Sequence, residues 1–407
     1  MKFSTSQRVK KSQAAVLATM LIGSILVVTS PASNAAGPVK AGKACSQTED
    51  TVAQAKKGQT LACKSGKWTR YESASLVYAA TSSSYGAKEE FAVYSVPQQL
   101  GYFKNEKLTV SIVPSGGSVD AVNLVSVGRV DITGADLGSA LSGIQKGANI
   151  KVIGGLVMNF PWKMATDPSS SIKKPADLKG KTIGIISTGS GSWPFAKAWL
   201  TGHGISYSGN KFVSLGGSIG PAKVALFNGS VDAIAYYTAG YAGEEFLGTK
   251  FNYLETPQAL IPVRSLSWIV NADKYAENPE IYERFLRAAF KGLTYSSTNL
   301  KSATTLGFTE LPAVLAGATV DSKIGSAMAS LKAWLESATP LTGAPATWNT
   351  LGSINTREWV INQAYAKAAG TITTGVSRAK YFDGSNLARA NTFDREPIVA
   401  AANKAPK

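Results

Sequence analysis

The chain has 407 residues, with 42 Lys+Arg against 26 Asp+Glu, one His and two Cys. That length exceeds one ordinary core and points to two or three domains, while 44% hydrophobic residues exclude a disordered chain. A lone histidine, His203, and two cysteines exclude multi-His metal sites, cysteine-rich zinc folds and most triad chemistry. The formal charge of +16 falls by four without Lys2, Arg8, Lys10 and Lys11, and by four again without the seven basic and three acidic side chains of residues 36–75. The +8 left on the main body describes a modestly basic protein, so no nucleic-acid partner is expected.

Residues 1–35 have the pattern of an export signal, with those four basic residues, an apolar run from Ala14 to Val28 and small residues up to Ala36. The run is about 15 residues long, short of the roughly 20 that span a bilayer. No paired arginines precede it and no cysteine follows it directly, so the expected product is exported and not lipidated. Export places the chain in an oxidising compartment, where Cys45 and Cys63 should pair. Closing that loop of about 17 residues would contribute on the order of 3 kcal/mol.

The segment from Ala41 to Trp68 resembles a small module near the start of many secreted actinobacterial proteins, which has a cysteine, glycines, a Leu-x-Cys and a Trp after a turn. Lys64-Ser-Gly-Lys67 suits a hairpin turn that lays Trp68 over the disulfide. Two roles stay open for this 36–75 module, cell-wall attachment and a stabilised terminal ornament. Residues 76–84, small and polar at their end, are expected to be a linker.

From Phe91 onward, short β-branched runs alternate with helix-length amphipathic stretches, the pattern of βαβ units and a mainly parallel sheet. Strands are expected at Leu108–Val113, Val130–Gly134, Lys151–Val157, Thr182–Ser187, Lys211–Leu215, Val231–Ala235 and Ser267–Asn271. An internal echo joins two of these units. Gly116-Gly-Ser118, a helix-length stretch and Gly128-Arg-Val-Asp131 recur as Gly216-Gly-Ser218, a similar stretch and Gly229-Ser-Val-Asp232. Two α/β lobes of related topology follow, with punctuation at Asp167-Pro168 and at Pro257 and Pro262. The expected boundaries give lobe 1 residues 85–166 and 267–407, and lobe 2 residues 167–266. Asn278-Pro279 opens a helix, and helical spacing continues at Ile324–Leu335 and Arg357–Ala369.

Phe91-Ala-Val-Tyr-Ser-Val-Pro-Gln-Gln-Leu-Gly101-Tyr-Phe-Lys-Asn-Glu-Lys-Leu108 resembles the opening of solute-binding proteins of the nitrate, taurine, alkanesulfonate and thiamine-precursor group, the NMT1/THI5-like family. In that group the segment reads as an aliphatic strand, a helix and then Gly-Tyr-Phe. The similarity continues through Val130-Asp-Ile132, Asp177-Leu-Lys-Gly-Lys-Thr-Ile-Gly184, Gly229-Ser-Val-Asp-Ala233 and Asn278-Pro-Glu280. The resemblance implies a type II, two-lobed periplasmic-binding-protein-like α/β fold, each lobe a mainly parallel sheet flanked by helices. It implies a cleft that captures a small organic solute for an ABC importer, with a permease and its ATPase as partners, and a monomeric protein. Residues 300–407 carry no motif of the family. An extracellular sensor or cell-surface interaction protein on the same fold is the alternative. An enzyme is not expected, since no nucleophile or acid/base constellation is legible, and no cofactor or metal is called for.

In open α/β sheets, ligands sit beyond the carboxyl ends of the strands. The candidate contacts are therefore Gly116, Gly117 and Ser118 in one loop, Ser190, Gly191, Ser192 and Trp193 in a second, and Tyr236 and Tyr237 in a third. Free N–H groups at helix starts in the first two loops suit an anion without a formal cation. Tyr85 and Trp162 add ring faces for a planar or cyclic body. Asp136 ends a strand at the same face, where it could meet a ligand or only cap the next helix. Trp199 and one of the two tyrosines are expected in the core, Glu89 and Glu90 in solvent, and His203 at a helix end. Arg264 suits either a ligand anion or the hinge. Crossings at Met164–Pro168 and Val263–Ser267 are expected to act as that hinge.

Overall fold

The computed structural model describes residues 40, 42–45, 52–54, 60–64, 67–70 and 72–406. The expected export signal lies outside these residues. The chain divides into two units, residues 1–72 and 73–407.

In the first unit, β1 (Val52–Gln54), β2 (Thr60–Lys64) and β3 (Lys67–Arg70) form an antiparallel sheet. Cys45 and Cys63 are bonded, with Cα atoms 5.8 Å apart. Leu61, Cys63 and Trp68 are buried together against Cys45, the small core that three short strands need a staple to hold.

The second unit contains two five-stranded sheets among the described residues. Sheet one runs β5 (Leu108–Val113), β4 (Ala74–Ala79), β6 (Ile132–Asp136), β13 (Leu266–Asn271), β7 (Ile150–Gly155). Sheet two runs β10 (Lys211–Ser214), β9 (Thr182–Ile185), β11 (Ala233–Tyr237), β8 (Trp162–Thr166), β12 (Asn252–Leu254). In each, the first three strands are parallel and the fourth is antiparallel to its neighbours. The topologies match strand for strand, as the sequence echo implies.

The repeated Gly-x-Val-Asp has a local cause. Asp131 accepts the Val77 N–H at 2.7 Å and donates its own N–H to the Val77 carbonyl. Asp232 does the same at Thr182, where its carboxylate accepts the N–H at 2.8 Å. Each aspartate thus pins the third strand of its sheet to the second, satisfying backbone groups where the ladder begins.

Three expectations need correction. Residues 76–84 are not a free linker, because Ala74–Ala79 is an interior strand of sheet one, paired on both sides. A six-residue strand whose one polar side chain is Ser75 shows too little alternation to betray it. Phe91–Ser95 is helical, not a strand, and buried on every side, which erases helical periodicity as well. Trp162–Thr166 belongs to sheet two, so the first crossing falls before Trp162 rather than at Met164–Pro168.

The core of lobe 1 centres on Tyr78, Phe103, Trp268 and Phe285, whose rings meet at 5.4–6.1 Å. Phe195, Trp199, Leu200, Ile183 and Ile185 fill lobe 2. Each such side chain contributes about 1.5–3 kcal/mol by leaving water. The C-terminal helices cross between these cores. Trp359 and Ala366 of the Thr356–Ala368 helix enter a core of lobe 1, while Tyr365 of the same helix enters that of lobe 2. The Val320–Ala338 helix packs in lobe 1 through Leu331 and Trp334 and lies along the Thr238–Phe246 helix of lobe 2.

Candidate functional site

The carboxyl ends of β4, β5, β9 and β11 face one another across the lobes and enclose a cavity. About 70 Å³ of it is open to the centre of a water molecule, room for roughly five waters. Thr81 and Ser82 follow β4, Ser190 and Gly191 follow β9, and Tyr237 and Thr238 close β11. Ser118 at the start of the Ser118–Ser126 helix, Trp162 at the start of β8 and Gly217 complete the polar side. Val157, Pro161, Ile186, Ala239, Leu266 and Trp334 supply apolar wall.

The indole of Trp162 stacks on Phe195 at 5.8 Å and meets the edge of Tyr237 at 6.2 Å. Its Nε1–H has no hydrogen-bond partner among the described residues. The Ser118 hydroxyl accepts the Asp136 N–H at 3.1 Å, which leaves its proton to donate. Ser190 Oγ lies 2.6 Å from Ser192 Oγ. An indole N–H and two hydroxyls held by the backbone form a set of neutral donors.

Opposite them stands a charged trio. Lys88 Nζ lies 2.5 Å from carboxylate oxygens of both Glu89 and Glu90, and all three residues are buried. Burial and the neighbouring Glu89 push the Glu90 carboxyl up to about 7. Burial alone would lower Lys88, but the two acids hold its ammonium above the ordinary value. With both acids on Lys88, this cavity presents no uncommitted cation.

Asp136 sits behind the cavity. It is 1% exposed and caps the Leu137–Gln145 helix by accepting the Ser139 N–H at 3.1 Å. Burial pushes its carboxyl up to about 7 against that hydrogen bond. Of the two roles expected for Asp136, the structure places it in the cap.

The two Gly/Ser loops meet, but mainly each other. The Val119 N–H donates to the Gly189 carbonyl at 2.9 Å, and Ser187 Oγ donates to the Gly116 carbonyl at 3.2 Å. A Cβ on Gly117 would stand 2.7 Å from the Gly189 oxygen. This backbone contact between lobes is a wall of the cavity, so Gly116 and Gly117 close it rather than line it. Ser192 is spent on the Ile186 N–H at 2.9 Å. Trp193 faces a separate chamber on the far side of the wall. Tyr236 is core, its hydroxyl donating to the Gly216 carbonyl at 2.7 Å. Tyr85 lies in a neighbouring groove and donates to the Ile112 carbonyl at 3.3 Å.

Of the expected contacts, Ser118, Trp162, Ser190, Gly191 and Tyr237 therefore line the cavity, while Gly116, Gly117, Asp136, Ser192, Trp193, Tyr236 and Tyr85 do not. Glu89 and Glu90, expected in solvent, are buried. Arg264 is bound to Glu358 and the Met158 carbonyl, between the crossing and the C-terminal helix. His203 caps the Ser192–Gly202 helix, as expected, with its ring 3.0 Å from the Glu255 carbonyl. Thr81, Ser82, Lys88, Glu89 and Trp334 were not foreseen. Gly217 was readable, since the echo sets it at the position of Gly117.

Two sheets of matched topology around a cleft define the fold of two-lobed, periplasmic-type binding proteins. The chain belongs to the NMT1/THI5-like family, which it matches over residues 88–302, more than half its length. A protein from Bordetella bronchiseptica RB50 is 19% identical with a TM-score of 0.62, over 78% of this chain and 97% of its own. The alkanesulfonate-binding protein SsuA from Xanthomonas axonopodis pv. citri, bound to MOPS, is 17% identical with a TM-score of 0.58, over 77% and 99%. DSZB in complex with biphenyl-2-sulfinic acid is 11% identical with a TM-score of 0.51, over 79% and 99%. At these identities the likeness is one of fold. No curated protein sequence matches the chain. Among the described residues, no group of acids, histidines and cysteines could hold a metal, and no helix is long and apolar enough to cross a membrane.

Proposed function

We propose that this protein is an extracytoplasmic, monomeric solute-binding protein that captures a small organic anion, a sulfonate or carboxylate, and delivers it to an ABC importer through its permease and ATPase. The observation that carries this is the unpartnered Trp162 Nε1–H, buried in the cavity beside the Ser118 and Ser190 hydroxyls. Buried donors without an acceptor cost about 1–3 kcal/mol, so an acceptor-rich ligand restores what folding leaves unmade. The small cavity favours a compact head group, and the rings of Trp162, Tyr237 and Trp334 favour a short apolar or cyclic body. Family membership supports the transport role, and the solved sulfonate-binding relative supports the ligand class. Binding rather than catalysis is favoured because Glu89 and Glu90 are committed to Lys88.

Isothermal titration with sulfonates, carboxylates and pyrimidines tests the proposal. A sulfonate or carboxylate should bind, and Trp162→Ala should weaken it at least tenfold, the loss of one hydrogen bond and a buried ring. Lys104→Ala, on the outer surface, should leave affinity unchanged. Binding of pyrimidines alone, or equal affinities for wild type and Trp162→Ala, would refute the anion assignment.

A further inference from the structure

Beyond the Gly117–Gly189 wall lies a second chamber, with about 420 Å³ open to the centre of a water molecule. Its floor comes from two helices of lobe 1, Ser118–Ser126 and Leu137–Gln145, and its roof from Thr188 and the Ser192–Gly202 helix of lobe 2. Gly370 and Thr371, just past the Thr356–Ala368 helix, close one side.

Two of its lining groups are anomalous. Lys197 is 6% exposed and makes no hydrogen bond or ion pair among the described residues. Its ammonium rests 3.9 Å from the ring centre of Trp193 and 5.4 Å from that of Tyr207. Ring faces offset part of the lost hydration, but they are not a counter-ion. Burial lowers its pKa from the ordinary lysine value. The second group is Ser139, 5% exposed, whose hydroxyl has no partner. No acid lines the chamber, and Lys146 adds a second positive charge at its rim. Buried lysines are rarely left unpaired, and the chamber is large enough for an occupant.

We propose that this chamber is a second ligand site, for a small organic or inorganic anion whose charge is the counter-ion that Lys197 lacks and whose oxygen accepts from Ser139. Carboxylate, sulfonate and phosphate share that chemistry. Trp193, which the sequence places among ligand contacts, then serves this site and not the cleft. Because floor and roof come from opposite lobes, an anion here binds the closed arrangement best. Cleft ligand and chamber anion therefore strengthen each other reciprocally.

The test is titration of the full chain with phosphate, benzoate and benzenesulfonate, in wild type, Lys197→Met, Ser139→Ala and Trp162→Ala. At least one anion should bind in a manner that survives Trp162→Ala and is weakened about 10- to 100-fold by Lys197→Met, the loss of a charge-assisted hydrogen bond. Ser139→Ala should weaken it about fivefold, the loss of one neutral hydrogen bond. Lys197→Met should also raise the melting temperature of the anion-free protein, because it removes a buried unpaired charge. Which anion responds separates an organic occupant from free phosphate. Anion binding unaffected by both Lys197→Met and Ser139→Ala, or no binding by any of the three probes, overturns the proposal. A failure of the cleft assignment appears instead as loss of the Trp162-dependent site alone.

Discussion

Gly117→Ala is the most direct perturbation of the closed cleft. Gly117 has φ +133° and ψ −174°, a region that is essentially glycine's alone, where another residue costs on the order of 1–3 kcal/mol. An added Cβ would also stand 2.7 Å from the Gly189 oxygen and 3.0 Å from the Ser190 Cα, both backbone atoms that cannot rotate away. Relief requires the lobes to part, which breaks the Val119–Gly189 hydrogen bond, worth about 0.5–1.5 kcal/mol. The strain is common to open and closed states, so the part specific to the closed state is about 1 kcal/mol, or roughly a fivefold loss of ligand affinity. Small-angle scattering of the ligand-free protein should show an expanded molecule, and titration should show the weaker binding. Gly204→Ala is the control. It carries φ +71° with nothing within 4 Å, so it tests strain without the contact between lobes. Equal scattering for wild type and Gly117→Ala, with affinities within twofold, would refute the wall.

Asp136 and Glu90 make stability depend on pH. Both carboxyls are raised by burial to about 7, so between about 4 and 7 the folded chain holds more protons than the unfolded one. Stability therefore falls as pH rises through that window and levels off above it, by at most about 1.4 kcal/mol per pH unit for each group. Asp136→Asn keeps an oxygen for the Ser139 N–H and should flatten the melting-temperature profile; a slope as steep as wild type would count against the buried-acid assignment. Replacing Cys45 and Cys63 by serine should remove about 3 kcal/mol from the small first unit while leaving anion affinity unchanged. Free thiols in the native protein, read by mass spectrometry, would end that expectation.

The echo of Gly-Gly-Ser and Gly-x-Val-Asp made the twin lobes legible because both motifs do backbone work. The glycines accept a close approach and the aspartates pin strands, so neither can drift without local cost. The elements that escaped had no such local signature. Phe91–Ser95 is buried on every side, and full burial removes the polar half of any period, while Ala74–Ala79 offers only Ser75 as a polar position. Lys88-Glu89-Glu90 looks like a solvated run, and only the fold shows the charges satisfying one another. Trp334 reaches the cavity from a helix about 170 residues past Trp162, a proximity that no spacing rule contains. The error over Trp193 is of another kind. The loop was right, but a helix turns its side chains through about 100° per residue, so Gly191 and Trp193 point to opposite sides of one wall.

The C-terminal helices decide what kind of motion can open that wall. Hinge rotation about the crossings before Trp162 and before Leu266 would suffice if the lobes touched only at the cleft. They also touch through the Val320–Ala338 and Thr238–Phe246 helices, and there the contact is close. A Cβ on Gly243 would meet Ser330 Oγ at 2.5 Å, and one on Gly325 would strike the Phe246 ring. Glycines on both helices bring the backbones near, with the Phe246 ring seated over Gly325. Prying the two helices apart would expose Trp334 and Leu331, so a small shear along the seam is the expected motion. At the other brace, Arg264 ties the crossing to Glu358. Residues 300–407, silent in sequence motifs, thus brace both lobes of the second unit.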